Sequence, residues 1–371
     1  MTSSSNPLFP YTLELLLDRE PIDLGRAHQA QELGGKTVLV TGGAGSIGSE
    51  LVRQLAACRP HSLLIIDQAE TPLYEMQLDL EGEFPQVDIN YFVCDITRRN
   101  SIEHIIARQP IDFIFHAAAY KHVPLMETNP AQAVWTNLEG TKIMADLAVA
   151  YAIPGFVMIS SDKAVNPTGV MGATKRAAEL YVQALNHRQK IANTHRRTRF
   201  ITTRFGNVLG SNGSVVHVFK KQINNGGPVT ITDKRIIRYF MSIPEACQLV
   251  LEAALMGKGG EIYIFDMGDP VRILDLAKKM IRISDPENKK NITIKEIGLR
   301  PGEKLYEELL TATCVTVPTH HEKILISQDN SVDFDTVGAL VEDIIQAANS
   351  FQKADILESL KKLIPSFQPH R

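Results

Sequence analysis

The chain has 371 residues, 44% of them hydrophobic and 22% charged, which is ordinary for a soluble globular protein of one or two domains. A formal net charge of −3 gives no reason to expect nucleic acid or an acidic membrane surface as a partner. No apolar run approaches the ~18 residues that a membrane helix needs, and the N-terminus lacks the pattern of a secretory signal. Four widely separated cysteines favour reduced thiols over disulfides or a metal site: Cys58, Cys94, Cys247 and Cys314. We expect a cytoplasmic protein without a metal, a membrane span or a nucleic-acid partner.

The first half of the chain alternates apolar strands with helices. Residues 1–35 are polar and weakly periodic, and we interpret them as an N-terminal arm. The pattern then predicts strands at 37–41, 63–67, 89–94 and 113–115, and helices at 49–57, 74–83 and 101–108. Because these strands are apolar on both faces, helices must cover both sides of the sheet. The sequence therefore predicts an α/β fold, a Rossmann-type doubly wound parallel sheet.

The alternation continues with a long helix at 130–151, a strand at 155–159, a helix at 174–192 and a strand at 199–204. We assign residues 36–206 to this dinucleotide-binding domain. Glycine and proline then become more frequent, and residues 207–330 are interpreted as a smaller C-terminal α/β substrate lobe, from which a strand near 261–265 could return to the main sheet. Residues 331–371 are expected to form a helical segment, with helices at 337–347 and 354–363, whose role stays open.

A glycine-rich turn, Thr41–Gly48, follows the first strand and opens the first helix. Glycines let the backbone approach a pyrophosphate, and a helix N-terminus favours its negative charge. A turn without a ligand is the alternative, but the strand before it and the helix after it match what the motif requires. The residues expected to contact a dinucleotide are Gly42, Gly45, Ser46, Ile47 and Gly48.

Residues at the ends of the next strands favour NAD over NADP. Asp67 ends the second strand, where a carboxylate can accept hydrogen bonds from ribose hydroxyls and would repel a 2′-phosphate, and Gln68 follows it without an arginine nearby. Asp95, followed by Ile96, could meet the adenine amino group, although a helix cap is an equal alternative for Asp95. Three small residues after the fourth strand would let the cofactor lie close, with helix–sheet packing as the alternative: Ala117, Ala118 and Ala119.

The segment Ser160-Ser161-Asp162-Lys163 leaves the buried strand at 155–159. Neighbours on a straight strand point to opposite faces, so Asp162 and Lys163 reach one ligand only if the chain is already turning, as the following Asn-Pro pair indicates. A surface ion pair is the alternative. Lys175 on the next helix would hold the ribose hydroxyls of the nicotinamide and lower nearby pKa values.

The frame from Ser160 to Lys175 resembles the active-site segment of a short-chain dehydrogenase, which carries a tyrosine four residues before the lysine. Met171 occupies that position here, and a thioether cannot exchange a proton. The chain therefore retains the residues expected for the cofactor and lacks the usual proton carrier. Ser161 as a relay, or Asp162 acting twice, could replace it, and the sequence leaves that choice open.

From about Thr12 to Leu310 the chain resembles the polysaccharide-biosynthesis branch of the nucleotide-sugar 4,6-dehydratases. The matching segments are V-T-G-G-A-G-S-I-G-S-E-L (40–51), H-A-A-A-Y-K-H-V-P-L-M-E (116–127), S-S-D-K-A-V-N-P (160–167), M-G-A-T-K-R (171–176), T-R-F-G-N-V-L-G-S-N-G-S-V (203–215), R-Y-F-M-S-I-P-E-A (238–246) and G-L-R-P-G-E-K-L-Y-E-E-L (298–309). The resemblance implies NAD as cofactor and UDP-N-acetylglucosamine as substrate. Methionine at the tyrosine position resembles the group whose product keeps its configuration at C5.

The implied chemistry begins with hydride transfer from sugar C4 to NAD. Lys163, if neutral, would then remove the C5 proton, and Asp162, if protonated, would donate to the departing C6 hydroxyl before hydride returns to C6. The resemblance also implies a set of substrate contacts, each of which would otherwise be interpreted as a surface charge or a packing residue: Asn207, Arg238 and Arg300 at the phosphates, Lys121 near the sugar, Val229 within 228–232 beside the uracil, and Glu303 at a ribose hydroxyl.

Three alternatives remain open. A C5-inverting dehydratase would use the same residues, a 4-epimerase is disfavoured by the missing tyrosine, and a non-catalytic NAD-binding regulator is supported by that absence. Relatives are commonly oligomeric, so we expect a homo-oligomer, with the helices at 130–151 and 174–192 as natural association faces.

Overall fold

The structure, a computed structural model, describes residues 13–17, 19, 22, 24–25, 27–192, 197–287, 289–308, 315–328 and 333–369. Residues 1–12 of the expected arm, the expected boundary at 330/331 and Cys314 lie outside these ranges. The three other cysteines are free thiols.

The strands follow the period and composition that the sequence indicates. Their bounds are β1 Thr37–Thr41, β2 Ser62–Asp67, β3 Ile89–Val93, β4 Phe113–His116, β5 Gly155–Ile159, β6 Arg199–Arg204, β7 Asn207–Leu209, β8 Val229–Ile231, β9 Ile237–Arg238, β10 Phe240–Ser242, β11 Ile262–Phe265, β12 Val271–Arg272, β13 Ile294–Glu296, β14 Val315–Pro318 and β15 Ile324–Gln328. Nine of them form one sheet in the order β14-β15-β11-β6-β5-β4-β1-β2-β3.

The helices are α1 Leu13–Leu17, α2 Ala27–Leu33, α3 Ser46–Ala57, α4 Glu70–Glu83, α5 Arg99–Ile106, α6 Val123–Thr128, α7 Pro130–Ala133, α8 Gly140–Ala150, α9 Val170–Ile191, α10 Val215–Asn224, α11 Ile243–Met256, α12 Ile273–Ser284, α13 Phe334–Asn349 and α14 Lys353–Leu363. A π-helical segment, Val134–Glu139, joins α7 to α8. A short 3₁₀ turn, Asp162–Ala164, follows β5.

The predicted Rossmann-type fold is confirmed. The strands from β3 to β11 in the sheet order are all parallel, and apolar clusters lie on both faces of the sheet. β1, β4 and β5 are buried along their whole length, as expected for strands covered on both sides. The strand order reverses beside β1, which places a crevice at the carboxyl ends of β1 and β4.

A smaller lobe is built on the chain between β6 and β14. Three two-stranded sheets, β7–β10, β9–β12 and β8–β13, pack with α10 and α12 around a separate apolar cluster that includes Phe219, Ile223 and Ile231. The segment does not stay in the lobe, because β11 lies beside β6 in the main sheet and β15 pairs with β11 antiparallel. The lobe therefore lies at the carboxyl edge of the sheet and is formed by segments inserted between the sheet strands β6, β11 and β14.

The C-terminal helices α13 and α14 form a hairpin that packs on α9 and on the π-helical segment. Its apolar side chains, among them Val341, Ile344 and Leu360, join the same buried cluster as Val182 and Leu185 of α9. The hairpin also contacts α6, where the Lys353 amine donates to the Glu127 carbonyl at 2.8 Å. Of the helices that we expected to serve as association faces, α9 and the first part of the helix at 130–151 pack against this hairpin.

The described part of the N-terminal arm is anchored to both lobes. Leu16 of α1 belongs to the lobe cluster, and α2 packs on α11. The Arg19 guanidinium pairs with Glu245 at 2.6 Å, while Glu245 also completes the capping box of α11 with Ser242. The arm therefore stabilises the contact between α11 and the lobe.

Candidate active site

A cavity of about 600 Å³ lies between the carboxyl ends of the parallel strands and the lobe. The glycine turn after β1 forms one side, and the segments after β4 and β5 form the floor. On the side opposite the sheet, the cavity is closed by three segments of the lobe side: 205–219, 230–240 and 300–307. Ligands of doubly wound folds bind at this edge.

The glycine turn leaves no space for side chains. Gly42 has a φ of +66°, and a Cβ there would lie 2.6 Å from the Ala118 backbone nitrogen. A Cβ at Gly48 would lie 2.0 Å from the Gly42 carbonyl oxygen. The turn and the first residues of α3 line the cavity: Gly42, Gly45, Ser46, Ile47 and Gly48. A backbone-walled cradle at a helix N-terminus fits the pyrophosphate of a dinucleotide, so these residues would hold NAD.

Asp67 supports the glycine turn from the end of β2. One carboxylate oxygen accepts from the Ala44 backbone N–H at 2.9 Å and the other from the Ala69 N–H at 2.9 Å. A carboxylate has about four acceptor sites, so it can still bind ribose hydroxyls. Gln68 is exposed, and its amide donates to the Tyr120 hydroxyl at 3.2 Å. Neither side chain lines the cavity itself.

The other residues expected to contact ligands are divided between the cavity and the packed interior. Asp95 accepts from the Thr97 backbone N–H at 2.9 Å, which is a local turn and not a cap on α5. Ile96 and Val229 are core residues, exposed by 4% and 0%. Neither side chain reaches the cavity: Ile96 packs against Gly140, and residues 230–232 line the cavity next to the buried Val229. Ala117 and Ala119 line the cavity, while Ala118 packs beneath Gly42.

The turn after β5 brings the two ionisable residues together. Ser161 begins it, since its hydroxyl accepts from the Lys163 backbone N–H and donates to Asp162 Oδ1 at 2.8 Å. Lys163 Nζ lies 3.0 Å from Asp162 Oδ1. Helix α9 packs closely against this turn. A Cβ on Gly172 of α9 would lie 2.1 Å from the Lys163 carbonyl oxygen, so only glycine fits there. Lys163 and Ser161 line the cavity, and Asp162 is fully buried directly behind them.

Lys163 is held as an ammonium ion. Burial disfavours its charge, but the carboxylates of Asp162 and Glu307 outweigh that cost and raise the pKa of the amine above its ordinary value. The neutral amine that a base requires is therefore not the resting form in this arrangement. A base is generated here only when the amine gives up one proton.

Met171 and Lys175 occupy successive turns of α9, and both line the cavity. Met171 is 3% exposed, so the tyrosine position holds an apolar wall instead of a hydroxyl. Burial, only partly offset by Glu179, lowers the pKa of Lys175 to about 8. A cation at this position could hold the ribose hydroxyls of a bound cofactor.

A buried ion network behind Lys175 did not emerge from the sequence analysis. Glu179 is fully buried, and its carboxylate accepts from Arg204 Nε at 2.7 Å and from the Ser160 hydroxyl at 2.6 Å. Burial opposes its charge, but Arg204, Arg176 and Ser160 lower the pKa of Glu179 to about 2. The spacing of Lys175 and Glu179, one helical turn, was the available signal.

The lobe side brings Asn207, Arg238, Arg300 and Glu303 to the cavity, and the segment after β4 brings Lys121. The Arg238 guanidinium also donates to the Lys304 carbonyl at 2.7 Å and lies 3.5 Å from Glu303, so it shapes the loop as well. Burial, followed by the charge of Lys163, lowers the pKa of Lys121. Glu307, which we did not predict, lies between Lys163 (3.5 Å) and Arg238 (3.7 Å).

Two further features bear on the chemistry. His116, at the end of β4, lies between the hydroxyls of Thr41 and Thr141, and burial with the nearby charge of Lys175 lowers its pKa to about 3, so it is neutral. Within the described ranges no group of histidine, cysteine or acidic side chains could hold a metal ion. The same residues contain no helix with the length and apolar character to cross a membrane.

The chain is similar to known proteins over most of its length. A family model described as polysaccharide biosynthesis protein matches residues 38–329. The capsular polysaccharide biosynthesis protein CapD of Staphylococcus aureus is 43% identical over 95% of this chain, which spans 57% of that protein's length. A UDP-N-acetylglucosamine 4,6-dehydratase (inverting) of Campylobacter jejuni is 35% identical, over 75% of this chain and 78% of that protein. The solved structure of Pen from Bacillus thuringiensis superposes with a TM-score of 0.72 and 31% identity, over 84% of this chain and 98% of that one.

These similarities extend over both the sheet and the lobe, and they include every segment that lines the cavity. The chain therefore belongs to the polysaccharide biosynthesis protein family, among whose relatives are nucleotide-sugar dehydratases and 4-epimerases.

Proposed function

We propose that the chain is an NAD-dependent UDP-N-acetylglucosamine 4,6-dehydratase that retains the configuration at C5. The observation that carries this proposal is the contact between Lys163 Nζ and Asp162 Oδ1, 3.0 Å long, at the floor of a cavity shared by the glycine turn and the lobe. A base and an acid are needed together at one hexose to remove water across C5 and C6.

The residues divide the proton transfers as follows. NAD, when bound, supplies the hydride acceptor at C4 and the hydride donor at C6. Asp162 takes up the proton released from O4 and later gives it to the departing C6 hydroxyl, with Ser161, 2.8 Å away, as the relay. Lys163 first releases one proton to solvent; the neutral amine then removes the C5 proton and later returns it. From that deprotonated starting state both side chains end each turnover as they began it, Lys163 regains its proton from solvent, and water is the only group lost.

Retention at C5 follows when one amine both removes and returns the proton, because the proton then arrives on the face it left. Met171 supports this assignment, since it places no second proton carrier next to Lys175. The C5-inverting reaction is the second candidate, and the 35% identical Campylobacter jejuni relative named as inverting favours it. Inversion would need a second donor on the opposite face of the sugar.

The test is incubation of the protein with NAD and a panel of UDP- and dTDP-hexoses, followed by mass spectrometry. We expect UDP-N-acetylglucosamine to give a product lighter by one water. In deuterium oxide, NMR should show deuterium at C5. The signals of the C6 group should fit a product that retains the configuration at C5. A product of unchanged mass would instead indicate 4-epimerisation, inverted C5 would favour the second candidate, and no product from any sugar would overturn the proposal.

A further inference from the structure

The amine of Lys163 is surrounded by three acceptors. Asp162 Oδ1 lies at 3.0 Å, Asn207 Oδ1 at 3.3 Å and Glu307 Oε1 at 3.5 Å. An ammonium ion has three N–H donors and no lone pair, so this arrangement matches its charged form. The neutral base that the proposed reaction needs therefore appears only when one of these contacts gives way.

Among these three acceptors, Glu307 is the one that is both a carboxylate and a residue of the lobe side. It comes from the loop 298–308, on the lobe side of the cavity, whereas Asp162 belongs to the same turn as Lys163. Its side chain is 3% exposed, and Oε1 also lies 3.7 Å from Arg238 Nε. Oε2 is buried and, like Asp162 Oδ2, has no hydrogen-bond partner among the described residues. A buried carboxylate oxygen without a partner calls for a functional explanation.

The charged groups around Lys163 come from four parts of the chain. Asp162 lies on its own turn, Glu307 on the 298–308 loop, Arg238 on β9 and Lys121 on the segment after β4. The two cations favour the neutral amine, and the two carboxylates favour the ammonium. Because Asp162 is assigned to proton transfer with the sugar, Glu307 is the carboxylate whose contact with Lys163 has no other assigned role.

We propose that Glu307 is a positioning residue of the chemical site, which holds the Lys163 amine from the opposite lobe and controls when that amine can act as a base. The proposal rests on the function proposed above, in which Lys163 removes the C5 proton. Since Glu307 is also close to Arg238, the same carboxylate connects the sugar end of the cavity with the side chain expected at the phosphates. Any movement of the 298–308 loop would change the contact with Lys163.

The test uses Glu307→Gln, which keeps the shape of the side chain and removes its charge. Competitive acetylation of lysines across pH, quantified by peptide mass spectrometry, reports the protonation of each amine without any turnover. Removing a negative charge 3.5 Å away should move the labelling midpoint of Lys163 to lower pH by about one unit or more. Lys175 is the internal reference and should not move.

Glu308→Gln is the matched control, because Glu308 is the next residue, is 48% exposed and pairs with Lys304 instead. It should leave the Lys163 midpoint unchanged. Glu307→Asp withdraws the carboxylate by one methylene and should give an intermediate shift. If Glu307→Gln does not fold, Glu307→Asp is the variant that tests the proposal. An unshifted Lys163 midpoint in whichever of the two variants folds would overturn it.

Kinetics with UDP-N-acetylglucosamine supply the second measurement. In Glu307→Gln, the acidic limb of the kcat profile should move to lower pH with the labelling midpoint, while plateau kcat falls by about tenfold and KM changes by less than about threefold. An uncoupled loss of kcat with an unmoved limb would mean a merely structural residue and contradict the proposal. A shifted midpoint in a protein that dehydrates no sugar would support the Glu307–Lys163 contact and overturn the proposed function alone.

Discussion

Lys163→Met is expected to lower kcat for water loss by about 10³-fold or more, with NAD affinity within about twofold of the wild-type value. The thioether fills similar space but can neither remove nor return the C5 proton, and the glycine turn that would hold NAD lies elsewhere on the cavity wall. Steady-state kinetics and fluorescence titration of the cofactor measure the two quantities. Asp162→Asn should likewise lower kcat and leave the NAD affinity nearly unchanged, because an amide cannot carry the proton from O4 to the leaving hydroxyl.

Lys142→Met is the matched control for this substitution. Lys142 has the same side-chain exposure as Lys163, 22%, and is likewise held by two carboxylates, those of Asp146 at 3.0 Å and Glu342 at 3.2 Å. It lies on α8, outside the cavity, so kcat should stay within about twofold. Normal turnover by Lys163→Met would refute the assignment of the base, and silent Asp162→Asn and Lys163→Met variants would favour a non-catalytic regulator.

Arg204→Met is expected to reduce the free energy of unfolding by about 3–5 kcal/mol, because it leaves the buried Glu179 carboxylate without its main cation. Urea denaturation at neutral pH measures the loss. Arg199→Met is the control, since Arg199 begins the same strand but is half-buried and donates to the Gly257 carbonyl at 2.9 Å, so its loss should be about 1 kcal/mol.

The pH dependence gives this prediction a second measurement. The pKa of Glu179 is lowered from 4.5 to about 2 in the folded protein, so the stability that its ion pair contributes is complete above pH 4.5 and is lost as the pH falls towards 2. The stability difference between wild type and Arg204→Met should therefore shrink over this interval. A difference that stays constant down to pH 2 would show that Arg204 stabilises the fold by packing and not by its charge.

The sequence was sufficient for features that depend on neighbouring residues. The run from β1 through the glycine turn to α3 is local, since the turn's steric limits arise within a few residues, and the parallel sheet follows from the apolar strands. The start of α9 was placed four residues late for an equally clear reason. Its first N–H group, on Val170, is capped by the Glu127 carboxylate at 2.6 Å, a residue from another helix, so no local capping signal exists at Gly169.

The parts of the site that the sequence did not predict depend on contacts between distant segments. Glu307 stands in a stretch with Glu303 and Glu308, and nothing in their spacing shows that one of them meets Lys163 across the cavity. The sequence also left the protonation state of Lys163 open, because it depends on Glu307, a carboxylate from a distant segment that raises the pKa of the amine. The burial of the Ile96 and Val229 side chains likewise depends on packing between distant segments, which the sequence pattern does not show.

The C-terminal hairpin limits which surfaces of this protein can form an interface between copies, because it covers α9. Its side chains Val341, Ile344 and Leu360 are fully buried, and exposing side chains of this kind costs roughly 1.5–3 kcal/mol each. A second copy that approached α9 would first have to expel the hairpin and replace its contacts. Any stable assembly should therefore be joined through other parts of the surface, and cross-linking of intact copies should not connect their α9 helices.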